Sequence, residues 1–204
     1  MCLYRELSSA KPILIQETVA DDPWKIIIAT VLLNKTTGRA AIPVFRSLIA
    51  LYPDPQALAN ASVDDLAALL QPLGLFNIRA KRLIDISKVY IADPPDPGRL
   101  RVSKNKLYIP VEKHISPSPL PYPPTPISHI PGTGPYALDS YRIFCGKDDE
   151  WMQVLPSDKE LIRYLKWKWA YDKGMRWFAG AGACGDVDHD YLVELTTDLN
   201  NTIP

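Results

Sequence analysis

The placement of proline limits this chain's fold more than any other feature. Over half of its 20 prolines fall between Pro94 and Pro131, among them Pro117, Pro119, Pro121, Pro123, Pro124 and Pro126. Each removes a backbone donor and locks φ, so no single regular helix can run through that stretch. The segment therefore reads as an extended loop, packed on a helical body or projecting from it. Its basic residues Arg99, Arg101, Lys104 and Lys106 fit either an extra binding arm or a merely variable loop.

On either side the spacing is helical. Trp24, Ile27, Ile28, Val31 and Leu32 predict a buried helix over Pro23 to Leu33, with Pro23 in its first turn. A second helix is predicted from Thr37 to Leu51. Asp54 before Pro55, and Ser62 three residues before Asp65, read as helix starts. Asn77 is expected to cap a helix ending near Ala92. Further helices are expected over Tyr136 to Cys145, Ser157 to Ala170 and Tyr191 to Leu199, with a glycine-rich break at Gly180 to Gly185. Strand signals are sparse, and Lys106-Leu107-Tyr108-Ile109-Pro110 is too short to change an all-α reading.

The 204 residues suffice for one domain or a compact pair of lobes. No stretch approaches ~18 consecutive apolar residues, and Met1-Cys2-Leu3-Tyr4-Arg5-Glu6 is unlike a secretory leader, so no membrane span is expected and an intracellular setting is the default. Cys2, Cys145 and Cys184 are far apart and read as reduced thiols. His114, His129 and His189 add no paired ligand spacing, so no metal or other cofactor is expected. Net charge is zero, whereas many nucleic-acid-binding domains are basic. Any attraction for DNA must come from local patches, and the candidates are Lys25, Lys35 and Arg39; Arg79, Lys81 and Arg82; and Lys159, Arg163, Lys166 and Lys168. The bland reading of the same residues is solvated helix faces.

The segment Ile130-Pro131-Gly132-Thr133-Gly134-Pro135-Tyr136-Ala137 carries the strongest chemical signal. Gly132 and Gly134 permit φ > 0 and close backbone approach. The following helix would turn its positive end toward the same anion. Alone this is also a common helix-joining turn. Other stretches add to it: Gln16-Glu17-Thr18, Asp22-Pro23-Trp24-Lys25, Leu32-Leu33-Asn34-Lys35-Thr36, Ala41-Ile42-Pro43-Val44, Pro72-Leu73-Gly74-Leu75, Arg79-Ala80-Lys81, Asp139-Ser140-Tyr141-Arg142-Ile143-Phe144-Cys145 and Pro156-Ser157-Asp158. In this order, from about Lys11 to Trp169, they resemble the helix-hairpin-helix DNA glycosylases. The nearest likeness is to the catalytic domain of the methyl-CpG-binding-domain mismatch glycosylases. The first ten residues and the tail after Trp169 lie outside the resemblance, and 94–126 looks like a Pro-rich inserted loop.

The resemblance implies an all-α, two-lobed helix-hairpin-helix glycosylase fold with the active site in the cleft between lobes. One lobe would be 22–134 and the other 1–21 with 135–204. Some relatives hold an iron–sulfur cluster through four closely spaced cysteines, which this chain lacks. The implied function is a monofunctional glycosylase removing thymine or uracil opposite guanine from double-stranded DNA, in base excision repair. A nuclear monomer that hands its product to downstream repair proteins is the implied setting. Asp158 matches the catalytic aspartate, which stabilises a cationic sugar or activates water. For an isolated Asp at a helix start, a surface residue would be the ordinary reading.

Tyr136 stands where strand-cutting relatives carry a nucleophilic lysine, so no lyase step is expected; it lines the base pocket or packs beside the helix start. Gln16 matches a pyrimidine-contacting glutamine, though by itself it reads as a surface residue. Lys35 and Leu75 match the residues that fill the gap left by the flipped nucleotide and meet the orphaned base. Relatives carry arginine at the first position, and a leucine is commonly core. Gly132, Thr133 and Gly134 would hold a DNA phosphate. Asp139 reads as a buried structural partner, and Trp167, Trp169 and Trp177 as packing aromatics. The alternatives are a noncatalytic helix-hairpin-helix module and a glycosylase for another damaged base.

Overall fold

Capped and amphipathic segments build most of the molecule. The computed structural model describes residues 2–107, 120–147 and 149–201. Its helices are α1 (Cys2–Ser9), α2 (Pro23–Leu33), α3 (Gly38–Leu51), α4 (Pro55–Ala59), α5 (Val63–Leu70), α6 (Phe76–Ala92), α7 (Pro135–Phe144), α8 (Lys159–Lys168) and α9 (His189–Asn201). The Asp22 carboxylate accepts from the Lys25 amide at 3.1 Å and starts α2, whose first residue is Pro23. Asp54 does the same for α4 at 2.8 Å, and Ser62 starts α5 by accepting from the Asp65 amide at 3.4 Å.

Three local expectations change. Leu75, at φ 50°, is the residue before α6, so Asn77 already lies inside that helix. Gly74 at φ 68° and Leu75 reverse the chain after the 3-10 turn Gln71–Leu73 and start the helix early. The glycine-rich break is instead a β-hairpin, in which β3 (Met175–Phe178) pairs antiparallel with β4 (Gly182–Asp186). Gly180, Gly182 and Gly185 take φ values of 84°, 79° and 69°, which a tight turn and an irregular register require, and the fully buried Trp177 ties the hairpin to the core. α8 begins at Lys159 rather than Ser157, for a reason given with the site below.

The proline-rich segment leaves and returns as two antiparallel limbs. Arg101 and Thr125 exchange backbone hydrogen bonds at 3.0 and 3.1 Å, Tyr122 donates to the Asn105 carbonyl at 3.3 Å, and β1 (Lys106–Leu107) pairs with β2 (Leu120–Pro121). Pro117, Pro119, His114 and Tyr108-Ile109-Pro110 lie outside the described residues. Arg101 makes a bidentate ion pair with Asp93 at 2.6 and 2.7 Å, so it braces the base of the limb rather than reaching outward. The returning limb enters the core through Tyr122, Ile127 and Ile130, each 2 % exposed or less. Among the described residues no helix is long and apolar enough to cross a membrane, and no group of three or more His, Cys, Asp or Glu side chains gathers as a metal site.

Buried apolar residues fall into two clusters. One joins α2 through α6 with Ile127, Ile130, Leu138 and Tyr141, and Ile15 packs in it too. The other gathers Leu7 of α1, Ile143, Trp151, Leu161, Trp167, Trp169, Trp177 and the inner face of α9. The three tryptophans near the end of the chain are thus packing residues. α7 feeds both clusters, and Tyr122 reaches it by donating to Asp139 Oδ1 at 2.6 Å. Asp139 is 2 % exposed. Burial pushes its carboxyl up to about 6, with the Tyr122 hydroxyl and Arg142 pulling down and Asp158 pushing up.

A raised carboxyl favours the fold when protonated, so this contribution is full below its unfolded value near 3.8 and is lost as pH rises through about 6. The stability of wild type relative to Asp139→Asn should therefore decline between pH 4 and pH 7, by about 3 kcal/mol at most. Denaturant titrations of both proteins across that range check this, and a flat difference would remove Asp139 from the balance.

Candidate active site and DNA interface

Two of the marked side chains meet, with Asp158 within electrostatic range, where the 3-10 turn Ile15–Val19 faces the starts of α7 and α8. Gln16, 1 % exposed, donates from Nε2 to the Tyr136 hydroxyl at 2.7 Å. Its turn is fastened to α8 by the neighbouring Glu17, which accepts from the Tyr164 hydroxyl at 3.0 Å and from Lys11 Nζ at 2.6 Å. Burial, and then the Asp158 carboxylate, push the Tyr136 phenol above its usual range, against the pull of the Gln16 amide. The phenol stays protonated. With its oxygen accepting from Gln16, the hydroxyl keeps its own hydrogen for another acceptor.

Asp158 is itself the helix cap, so the helix expected from Ser157 begins only after Asp158. Its Oδ1 accepts from the Glu160 and Leu161 amides, both at 3.0 Å, and Oδ2 takes part in neither bond. A carboxylate takes two amide donors and carries the charge that the helix end favours, whereas serine offers a neutral hydroxyl. Ser157 is left outside the helix and exposed.

Lys35 and Leu75 lie at a second place. They are the non-glycine residues with positive φ among the described residues, at 57° and 50°. Such a conformation costs roughly 1–2 kcal/mol for a residue bearing Cβ. Lys35 follows the last turn of α2, at the position where helices commonly end on glycine. Both side chains face solvent, and Leu75 is 63 % exposed, so it is no core leucine. Strain held at two exposed positions is a mark of function.

The two places of strain share one side chain. Arg79 on α6 is 7 % exposed and donates to Gly74 O at 3.1 Å, Val31 O at 2.5 Å, Leu32 O at 3.2 Å, Asn34 O at 3.0 Å and Thr36 Oγ1 at 2.9 Å. It is therefore no phosphate contact, a correction to its place among the basic patches. Its spacing with Leu83 and Ile86, on the buried face of α6, is the signal that marks it as inward-facing. Lys25 pairs with Asp22 at 3.1 Å, Arg163 with Glu160 at 2.9 Å and Lys168 with Asp172 at 2.6 Å. Lys35, Lys81 and Arg82 remain exposed.

At the hairpin, Gly132 has φ 83° but Gly134 does not need its freedom, with φ −83°. A Cβ on Gly134 would meet nothing within 4 Å, so the protein alone gives no steric reason for glycine there. Without a Cβ, the backbone at Gly134 is open to close approach from outside the protein. Thr133 is buried, its hydroxyl donating to Ile130 O at 2.7 Å and its carbonyl accepting from Asn105 Nδ2 at 2.9 Å. Its amide and that of Gly134 bond within the turn, at 3.4 and 3.0 Å. The side chain of Thr133 thus shapes the hairpin and does not reach outward. The residues before it, from Pro126 to Ile130, form turns and not a helix. Arg82 lies beside the hairpin, its Cδ 3.3 Å from where a Gly132 Cβ would stand.

Cavities of about 310 Å³ beside Arg176, Phe178 and Tyr191, and of about 290 Å³ beside Gln71, Phe76 and Asn77, share no lining residue with the Gln16–Tyr136–Asp158 group. Gln16 and Tyr136 are bonded directly to each other, so their polar ends leave no space between them.

Comparison with known proteins gives the same direction. The thymine-DNA glycosylase of Aeropyrum pernix is 33% identical over 146 residues, 71% of this chain and 53% of that protein. The thymine/uracil-DNA glycosylase of Pyrobaculum aerophilum is 29% identical over 148 residues, 72% of this chain and 53% of that protein. A methyl-CpG-binding domain protein 4-like protein of Arabidopsis thaliana is 27% identical over 151 residues, 74% of this chain and 27% of that protein. The chain thus spans about half the length of the first two relatives. The solved structure of a thermostable thymine-DNA glycosylase superposes with a TM-score of 0.54 at 15% identity, covering 97% of this chain and 74% of that one, a likeness of fold. Residues 28–172 match the family described as HhH-GPD superfamily base excision DNA repair protein, and the chain belongs to that superfamily.

Proposed function

We propose that this protein is a monofunctional DNA glycosylase that hydrolyses the N-glycosidic bond of thymine or uracil opposite guanine, acting as a monomer on nuclear duplex DNA. The meeting of Gln16, Tyr136 and Asp158 carries the reading. Residues 22–134 form one lobe, 1–21 and 135–204 form the other, and DNA lies across the cleft. The two apolar clusters support this division, with α7 common to both.

The flipped pyrimidine separates Gln16 from Tyr136. Gln16 then bonds the N3–H and a carbonyl of the base, and the Tyr136 hydroxyl donates to a carbonyl oxygen. As the bond from the sugar C1′ to the base nitrogen breaks, its electron pair leaves with the base and the sugar becomes cationic. Asp158, with Oδ1 held by two amides, presents Oδ2 to that charge. Water adds to C1′, and its proton passes to the carboxylate or the departing base. Tyr136 cannot form a Schiff base, so the strand stays intact. Gly132, Gly134 and the first amides of α7 receive a backbone phosphate, with Arg82 beside them. Lys35 and Leu75 occupy the gap in the stack, and downstream repair proteins receive the abasic product.

Asp158→Asn keeps the cap, because asparagine also accepts from helix-start amides. It should bind mismatched duplex normally and lose base release by ~10²-fold or more. Single-turnover excision on G·T and G·U duplexes measures this, and near-normal release would move the chemistry elsewhere.

Product analysis should give an intact strand that alkali cleaves. A covalent protein–DNA adduct trapped by borohydride would contradict the role given to Tyr136.

Lys35→Ala should slow excision from paired duplex far more than from a substrate whose target base is unpaired, because only the paired base needs the gap held open. Lys35→Arg should maintain or raise activity, since a planar guanidinium can stack in the gap. Equal losses for Lys35→Ala on both substrates would reduce Lys35 to a backbone contact.

A further inference from the structure

The Arg79 guanidinium has five N–H donors, and the structure engages each of them. Nε meets Gly74 O, Nη1 meets Val31 O and Leu32 O, and Nη2 meets Asn34 O and Thr36 Oγ1. No carboxylate is among these acceptors. They lie instead on the last turn of α2 and on the two loops that carry the left-handed residues, with Asn34 and Thr36 flanking Lys35 and Gly74 preceding Leu75. Burial and the like charge of Arg82 press against this cation, so its place depends on the carbonyls, most of them at the negative end of α2.

We propose that Arg79 is a positioning residue that locks the Lys35 loop and the Leu75 loop into one rigid unit, so that both side chains enter the duplex together. The proposal rests on the reading of Lys35 and Leu75 as the pair that fills the gap. A single planar fork serves both loops at once. Lysine has three tetrahedral donors and cannot reproduce that geometry, although it preserves the buried charge. Coupling through Arg79 would keep either strained loop from relaxing by itself.

The test compares wild type, Arg79→Lys and Thr36→Val as full-length proteins. In the DNA-free protein, hydrogen exchange at the Asn34, Thr36 and Gly74 amides should accelerate in both loops together in Arg79→Lys. Acceleration confined to one loop would overturn the proposal. In single-turnover excision, Arg79→Lys should lose ~10-fold or more on a G·U duplex but under ~3-fold on single-stranded uracil DNA, the contrast that a merely structural role would not produce. The losses from Lys35→Ala and Leu75→Ala should be strongly non-multiplicative in wild type and multiplicative in the Arg79→Lys background. Equal losses on both substrates, or the same coupling in both backgrounds, would refute it. If Arg79→Lys does not fold, Thr36→Val decides, since it removes one of five acceptors. It should show a smaller loss confined to the duplex, and no such loss refutes the brace. Should Lys35→Ala and Leu75→Ala lose equally on paired and unpaired DNA, the gap-filling reading fails, while the exchange measurement still decides whether Arg79 joins the loops.

Discussion

Every residue of α7 from Ala137 to Ile143 is buried, and this full burial organises the molecule. A helix covered on all sides belongs to more than one core, and here Leu138 and Tyr141 face one cluster while Ile143 faces the other. Its charged members then find partners inside the protein. Asp139 receives the Tyr122 hydroxyl, and Arg142 pairs with Glu150 at 3.0 Å. These partners come from the proline-rich limb and from the segment before α8. Burying one helix therefore draws the hairpin, the limb and the approach to α8 to fixed positions around it.

The two ends of this arrangement have opposite mechanical character. At the start of α7 the polar groups are few and mutually satisfied, as in the Gln16–Tyr136 bond. A bond of this kind can give way by exchanging partners. At the Lys35 and Leu75 loops the side chains project into solvent from a strained backbone, and the bonds that hold the strain are behind them. Hydrogen bonding that gives way suits a pocket, and bonding that does not suits a tool. The chain's net charge is zero, and among its exposed cations Lys35 stands on one of these loops and Arg82 beside the hairpin.

Much of the helical framework was legible because its signals are local. Asp22, Asp54 and Ser62 cap the helices that their sequence neighbours announce, and the apolar spacing from Trp24 to Leu32 places α2 correctly. The motif residues Gln16 and Tyr136 also stood out, although only the fold brings them within bonding distance across 120 positions. What escaped depends on distant partners. Glycines 180 to 185 read as a break, yet the burial of Trp177 makes them a hairpin. Ser157 and Asp158 are both able caps, and the choice falls to Asp158, whose carboxylate takes two amides at once. Arg79 resembled a surface cation until the carbonyls of α2 were placed opposite it.

The cap at Asp158 bears on how such a protein can change over evolutionary time. Both donors that orient its carboxylate are main-chain amides, of Glu160 and Leu161, which every amino acid except proline supplies. Replacement of the neighbouring side chains leaves that orientation in place. The side chains around Gln16 and Tyr136 can drift while the carboxylate keeps its orientation. On the function proposed above, a change of preferred base would then need no step that passes through a disoriented carboxylate.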